Sequence, residues 1–212
     1  MIPTANRHHF LNDIFINSLI PNNQIILIRT SPGPHISRVH NIFVKSKKIN
    51  IQKWWNLGIK IAEKQGAKYV AVLNDDVWIS PGSLQKMAFE AFIQDVPLVF
   101  PFPHSGQLAG YCWVLNLKYQ VRPDEQFRWW YGDNDLQMQA QKLNKYIYVP
   151  VDVKHLESGE STAENPFLQE LAEIDHYKFI QKWGTKKQQR EARNWKFQYL
   201  KNKFKTKLKI FK

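Results

Sequence analysis

The sequence predicts an α/β fold, a mostly parallel mixed sheet flanked by helices, and three observations carry that prediction. Strand-length apolar runs alternate with stretches of helical period through the first two thirds of the chain. One run, Tyr69-Val70-Ala71-Val72-Leu73, is nearly continuous in apolar and β-branched residues, as in a strand buried on both faces of a parallel sheet, and ends abruptly in Asn74-Asp75-Asp76. Finally, 212 residues with 43% hydrophobic and 14% aromatic content can bury one sizeable core and carry an appendage.

Taken in order, Met1 to Arg7 reads as the end of a short first strand entering a polar loop. Phe10 to Ile20 has helical spacing and is stopped by Pro21-Asn22-Asn23. Gln24 to Ile28 is the second strand. Ser31 to Lys48 is a long connection containing one strand-like piece, Ile42-Phe43-Val44, and its length suits a functional loop. Ile51 to Gln65 is a helix with two apolar rows, Trp54, Leu57, Ile61 and Trp55, Ile59, Ala62, and Gly66 as its C-cap.

After the strand Tyr69 to Leu73, Ser80 as N-cap and Pro81 as first-turn proline open a helix running through Met87 and Phe92. Pro97 to Phe100 is a strand, Pro101 to Gly110 a turn-rich loop, and Tyr111 to Leu117 another strand. Gly132 to Leu143 is helical, with Leu136, Ala140 and Leu143 as its buried stripe and Asp133 and Asp135 at its start. Tyr146 to Val151 is a further strand, and this order of elements places the mixed pairing at the sheet edge.

The formal net charge of +12 invites a nucleic-acid reading. Its distribution argues otherwise, because residues 196–212 hold seven lysines and no acid and so supply more than half of it. The single cysteine, Cys112, lies in an apolar run and reads as a buried small hydrophobe; it excludes an internal disulfide and a cysteine-rich zinc site. No signal peptide and no long apolar span is visible, so the expectation is a cytoplasmic protein, soluble or peripheral on the inner face of a membrane.

Carboxylates at the carboxyl end of a central parallel strand lie where open α/β sheets bind ligands. Asp75 and Asp76 cannot comfortably ionise side by side without a cation or helix dipole nearby. A hard divalent ion, Mg²⁺ or Mn²⁺, resolves this and shares its oxygen ligands with substrate phosphates. A solvated cap is the structural alternative for the same pair.

These motifs in this order resemble the family-2-type glycosyltransferases, inverting enzymes of the Rossmann-type GT-A fold that move a sugar from a nucleotide-diphosphate donor to an acceptor hydroxyl. The likeness covers roughly residues 2 to 160. Ile2 to Arg7 is similar to the opening strand and nucleotide-side loop, which implies Pro3, Thr4, Asn6 and Arg7 at the nucleotide sugar. Asn56-Leu57-Gly58-Ile59 is similar to the helix leading into the metal strand. Leu73-Asn74-Asp75-Asp76-Val77 looks like the DXD-type motif. Asn74 stands where the family has its first Asp, so metal binding rests on Asp76, with Asn74 and Asp75 nearer the ribose and phosphate. His155 resembles the late histidine that completes the metal site, and Gly110 the acceptor-side segment. Gly132-Asp133-Asn134-Asp135-Leu136 looks like the stretch carrying the catalytic base, although Gly132 replaces a frequent acid. The acid that follows the family's second strand is missing, since that strand runs into Arg29-Thr30.

The resemblance implies a metal on Asp76 and His155 bridging the diphosphate, and Asp133 or Asp135 as base. Trp129-Trp130-Tyr131 reads either as a platform for a sugar face or as core packing. The acceptor is expected to be a glycan, lipid-linked or protein hydroxyl. A catalytically inactive nucleotide-sugar or glycan-binding module of the same fold is the alternative. Residues 161–195 read as a helical extension packing on the 1–160 domain, and 196–212 as a basic amphipathic tail. Phe197, Leu200, Phe204, Leu208 and Phe211 form an apolar stripe in the tail that suits an anionic membrane or docking on its own domain.

Overall fold

The computed structural model describes residues 1–4, 11–31, 36–37, 39–46, 48–102, 110–143, 145–156 and 160–197. Asn6, Arg7 and the tail stripe beyond Phe197 lie outside these residues. The elements are β1 (Ile2–Thr4), α1 (Leu11–Asn17), β2 (Ile26–Arg29), β3 (His40–Phe43), α2 (Ile51–Lys64), β4 (Tyr69–Leu73), β5 (Val77–Ile79), α3 (Ser83–Ile93), β6 (Leu98–Pro101), β7 (Cys112–Asn116), α4 (Gly132–Lys142), β8 (Tyr146–Val149), β9 (Val153–His155), α5 (Glu160–Ala163) and α6 (Pro166–Trp183).

Strands β1, β2 and β3 pair in parallel, and β4, β7, β6 and β8 form a second ladder in that order. Met1 joins the two: its N bonds Ala71 O at 2.7 Å and its carbonyl accepts from Leu73 N at 3.1 Å, a parallel register around Val72. The result is one mostly parallel sheet in which β7 runs antiparallel to both neighbours. That places the reversed strand inside the sheet, not at its edge as the element order suggests. The short return from β6 lays β7 beside it, between β6 and β4, and only then does α4 carry the chain over to β8.

The pleat sends alternate residues to opposite faces, and each face has its own core. Ile26, Ile28, Val70, Val72, Leu98, Phe100, Trp113 and Leu115 pack with α2 and α4. Leu27, Leu73, Val99, Cys112 and Val114 pack with α1 and α3. Trp55 and Trp113 meet edge to face, with ring centroids 5.1 Å apart. Ile59 is fully buried in this layer, so Ile59→Ala costs about 2–5 kcal/mol. Leu143, expected in the buried stripe of α4, is exposed just beyond its last turn.

Helix α2 starts on Asn50, whose side chain accepts from Lys53 N, a cap worth about 1 kcal/mol. It ends as the sequence predicts: Gly66 takes φ +80°, Ala67 N returns to Ala62 O and Gly66 N to Glu63 O, the Schellman arrangement. The start of α3 differs from expectation. Val77-Trp78-Ile79 extends as β5 against β9, and Gly82 at φ +81° turns the chain so that the helix opens at Ser83, not at Pro81. β-branched residues favour that extended run, and it proves decisive for the site.

Candidate functional site

The site is built at the carboxyl end of β4. There Asn74 N donates to Tyr111 O at 2.9 Å, so antiparallel β7 begins where β4 ends. Just beyond, β5 pairs with β9 in the register Val77 to His155, and Leu156 N bonds Asp76 O at 2.9 Å. This small ladder brings residues 79 positions apart into contact: His155 Nε2 lies 3.0 Å from Asp76 Oδ1. Both side chains are largely shielded, at 5% and 20% exposure for Asp76 and His155. The His155 ring stacks on Tyr111, centroids 4.8 Å apart and planes 13° from parallel.

Two cis ligands at about 2.1 Å from an octahedral ion stand about 3.0 Å apart, so the Asp76 oxygen and His155 nitrogen suit a shared divalent cation. No group of three or more His, Cys, Asp or Glu among the described residues converges on a metal, so such an ion would draw its remaining ligands from substrate and water. Asp75 is half-exposed in the same turn.

Gly110 precedes Tyr111, and Asp133 packs directly on it: a Cβ placed on Gly110 would overlap Asp133 Oδ2 and sit 2.6 Å from its Cγ. Asp133 is the second residue of α4, whose first residue, Gly132, lies flat against the fully buried amide of Gln52. Burial pushes the Asp133 carboxyl above its ordinary value, with the backbone amides of Asn134 and Asp133 pulling the other way. A continuous line of contacts thus runs from Asp76 through His155, Tyr111 and Gly110 to Asp133.

Several expected site residues behave differently. Asp135 is fully buried, and its carboxylate is taken by Trp183 Nε1 at 2.7 Å, Lys182 Nζ at 2.6 Å and Gln139 Nε2 at 2.6 Å. These partners tie the start of α4 to the end of α6. Asn56, which the resemblance also implies at the nucleotide sugar, donates to Pro123 O at 2.8 Å and Glu125 Oε1 at 3.1 Å, tying α2 to the segment before α4. Trp129 sends its indole N–H to Thr162 Oγ1 at 2.9 Å, towards α5, whereas Trp130 is exposed.

At the adjoining ends of β1 and β2, Pro3 pairs with Ile28 and Thr4 with Arg29. Among the described residues, Thr4 Oγ1, Arg29 Nε and Ser31 Oγ are buried there with no hydrogen-bond partner. Three orphaned polar atoms at one strand end are unusual in a folded interior and mark a place suited to a polar ligand.

Sequence reasoning missed Tyr111, Arg29 and Asp175. Asp175 had a signal: it continues the buried row Leu168, Leu171, Ala172 of α6, where a carboxylate needs partners. It accepts from the amides of Arg128, Trp129 and Trp130. Lys182 bridges Asp135 and Asp124; burial pushes Asp124 up, but hydrogen bonds from Lys182 and Gln126 outweigh it and hold that carboxyl below its usual value. Cys112 is buried as expected, its thiol pushed up to about 12 by desolvation. Among the described residues no helix is long and apolar enough to cross a membrane.

No family model and no curated protein matches the sequence. Solved structures do match in shape. S. aureus TarS 1–349 in complex with UDP aligns with TM-score 0.53 at 10% identity, over 82% of this chain and 64% of that one. The same TarS fragment without UDP aligns with TM-score 0.52 at 8% identity, over 84% of this chain and 70% of that one. A Desulfovibrio desulfuricans G20 protein, provisionally described as a nucleotide-diphospho-sugar transferase, aligns with TM-score 0.50 at 12% identity, over 70% and 78%. The chain thus shares the GT-A-like fold of these structures, a mixed α/β sheet with flanking helices.

Proposed function

We propose that the chain is a glycosyltransferase that moves a sugar from a nucleoside-diphosphate donor to an acceptor hydroxyl with inversion. The observation that carries this reading is the line of contacts that joins Asp76 and His155 to Asp133 across Tyr111 and Gly110. It sets an Asp–His pair suited to a cation near a partly desolvated carboxylate, which supports the reading because displacement of a diphosphate requires both parts.

In this reading Asp76 and His155 hold Mn²⁺ or Mg²⁺, with Asp75 and Asn74 beside the ribose and phosphates. The ion would neutralise charge growing on the leaving diphosphate. Thr4 and Arg29, with Ser31, receive the nucleoside, which satisfies their orphaned atoms; Pro3 shapes the same strand end. Gly110 and the exposed Trp130 border the acceptor side. Asp133 removes the acceptor hydroxyl proton as the new oxygen–carbon bond forms and the bond to the diphosphate oxygen breaks. Because attack comes from the face opposite the leaving group, the anomeric centre inverts. Its raised pKa makes Asp133 a stronger base than an exposed aspartate.

The test is thermal unfolding of the full chain with UDP, GDP, CDP and dTDP, each with and without Mn²⁺. One nucleotide is expected to raise the Tm by several degrees in a chelator-sensitive way, and Asp76→Asn to remove that shift. No shift with any nucleotide refutes a metal–diphosphate site. Metal-dependent binding with no hydrolysis or transfer of the matching nucleotide sugar turns the reading to a binding module of this fold.

A further inference from the structure

The turn before Asp133 and the residue two positions after it are both bound from α6. Asp175 is fully buried on α6, and one of its oxygens, Oδ2, accepts from three successive amides, Arg128 N at 2.8 Å, Trp129 N at 2.7 Å and Trp130 N at 3.2 Å. Its other oxygen takes Lys178 Nζ at 3.1 Å. Three consecutive N–H groups on one oxygen fix the curl of the chain as a nest does around an anion. That curl delivers Tyr131, which sits at φ +64° between the stacked ring of His176 and the ring of Phe179. A non-glycine residue keeps this conformation only where its surroundings enforce it.

A second grip lies on the far side of the base. Trp183 Nε1 and Lys182 Nζ, both from the last turn of α6, bind Asp135 Oδ1 at 2.7 and 2.6 Å. Residues 128–131 and residue 135 are therefore both tied to α6, and Asp133 lies between them. We propose that α6 is a positioning element for the base, with Asp175 and Trp183 acting through the 128–130 turn and Asp135 to press the Asp133 carboxylate against Gly110 and away from water. The inference rests on the reading of Asp133 as general base and extends it to residues that touch no substrate.

A purely structural role for α6 predicts lower stability with an unaltered Asp133 in the molecules that remain folded. Positioning predicts that Asp133 itself changes. Two variants of the full chain probe the two grips: Asp175→Asn removes the charge inside the nest, and Trp183→Phe removes only the indole N–H. The readouts are an aspartate ¹³Cγ NMR pH titration, with Asp133→Asn assigning the resonance, and the rate and pH profile of hydrolysis of UDP-, GDP-, CDP- and dTDP-glucose.

In wild-type protein the Asp133 resonance is expected to titrate above the ordinary aspartate range. In both variants it should move down by about half a pH unit or more as water reaches the carboxylate. Hydrolysis should slow about tenfold or more while nucleotide affinity holds, with the acid limb of the profile moving to lower pH. An unmoved resonance with turnover within about twofold of wild type in the folded variants overturns the inference, and an inactive Asp133→Asn would then still leave the base assignment standing. Wild-type turnover by Asp133→Asn refutes the base assignment itself, and this inference with it. Should Asp175→Asn not fold, Trp183→Phe decides.

Discussion

Adding one methyl group at Gly110 gives the most direct test of the site's geometry. The new Cβ would overlap Asp133 Oδ2 and lie 2.6 Å from Cγ, whereas ordinary contact begins near 3.4 Å. The Cγ must therefore retreat by roughly 0.8 Å, and the overlapped oxygen by more. Because the obstacle is the end of a side chain, the fold should lose only about 1 kcal/mol, the low end of overpacking costs. Catalysis is far less forgiving, since displacing a reacting group by about 1 Å costs about 10²-fold. Gly110→Ala is thus expected to retain its unfolding transition and its Mn²⁺-dependent nucleotide shift while turnover of the matching nucleotide sugar drops by about that factor. The assay is nucleotide release followed over time, with thermal unfolding run on the same sample. Turnover within about threefold of wild type in a folded Gly110→Ala protein would refute the claim that Asp133 acts from the position against Gly110.

Other outcomes follow from the same geometry. His155→Ala should abolish the metal-dependent part of nucleotide binding just as Asp76→Asn does; a chelator-sensitive Tm shift that survives in both places the ion elsewhere. Asp133→Asn should stabilise the protein at neutral pH, because the folded-state pKa of this carboxyl is raised. Its burial cost is absent below the unfolded value of 3.8, grows as pH rises through the folded value, and is complete above it, so the Tm gain should vanish below that lower limit. Thermal unfolding of both proteins across pH checks the sign. Gly132→Ala would drive a Cβ into the Gln52 amide and should cost about 1–3 kcal/mol. Gln52→Ala should recover most of that loss, a coupling that a double-mutant cycle measures by chemical denaturation.

Much of the fold was legible because its signals are local. The period of α2, with Trp55, Ile59 and Ala62 on one face and Gly66 to end it, reads directly from residue spacing. The buried β4 and its terminal acids were equally plain, since a strand covered on both faces must be apolar throughout. β5 and β9 were not, because each is only three residues long and is defined by the other, with residues 77 and 155 facing across the pair. For the same reason α3 was expected too early, at Ser80-Pro81. The sequence favours Asp133 over Asp135 as the base candidate, but both open the same helix, and only the fold shows that Trp183 and Lys182 bind the Asp135 carboxylate.

From residue order alone come the class of fold, the position of Asp75 and Asp76 at the end of its central strand, the burial of Cys112 and the basic character of the tail. These depend on periodicity, apolar content and charge, which neighbouring residues express without help from distant ones. The pairing of Asp76 with His155, the stack on Tyr111, the seat of Asp133 on Gly110 and the hold of α6 on α4 came only with the tertiary structure. Each joins segments far apart in the chain through a hydrogen bond or a close approach, and what selects such a contact is the shape and burial of the assembled layers.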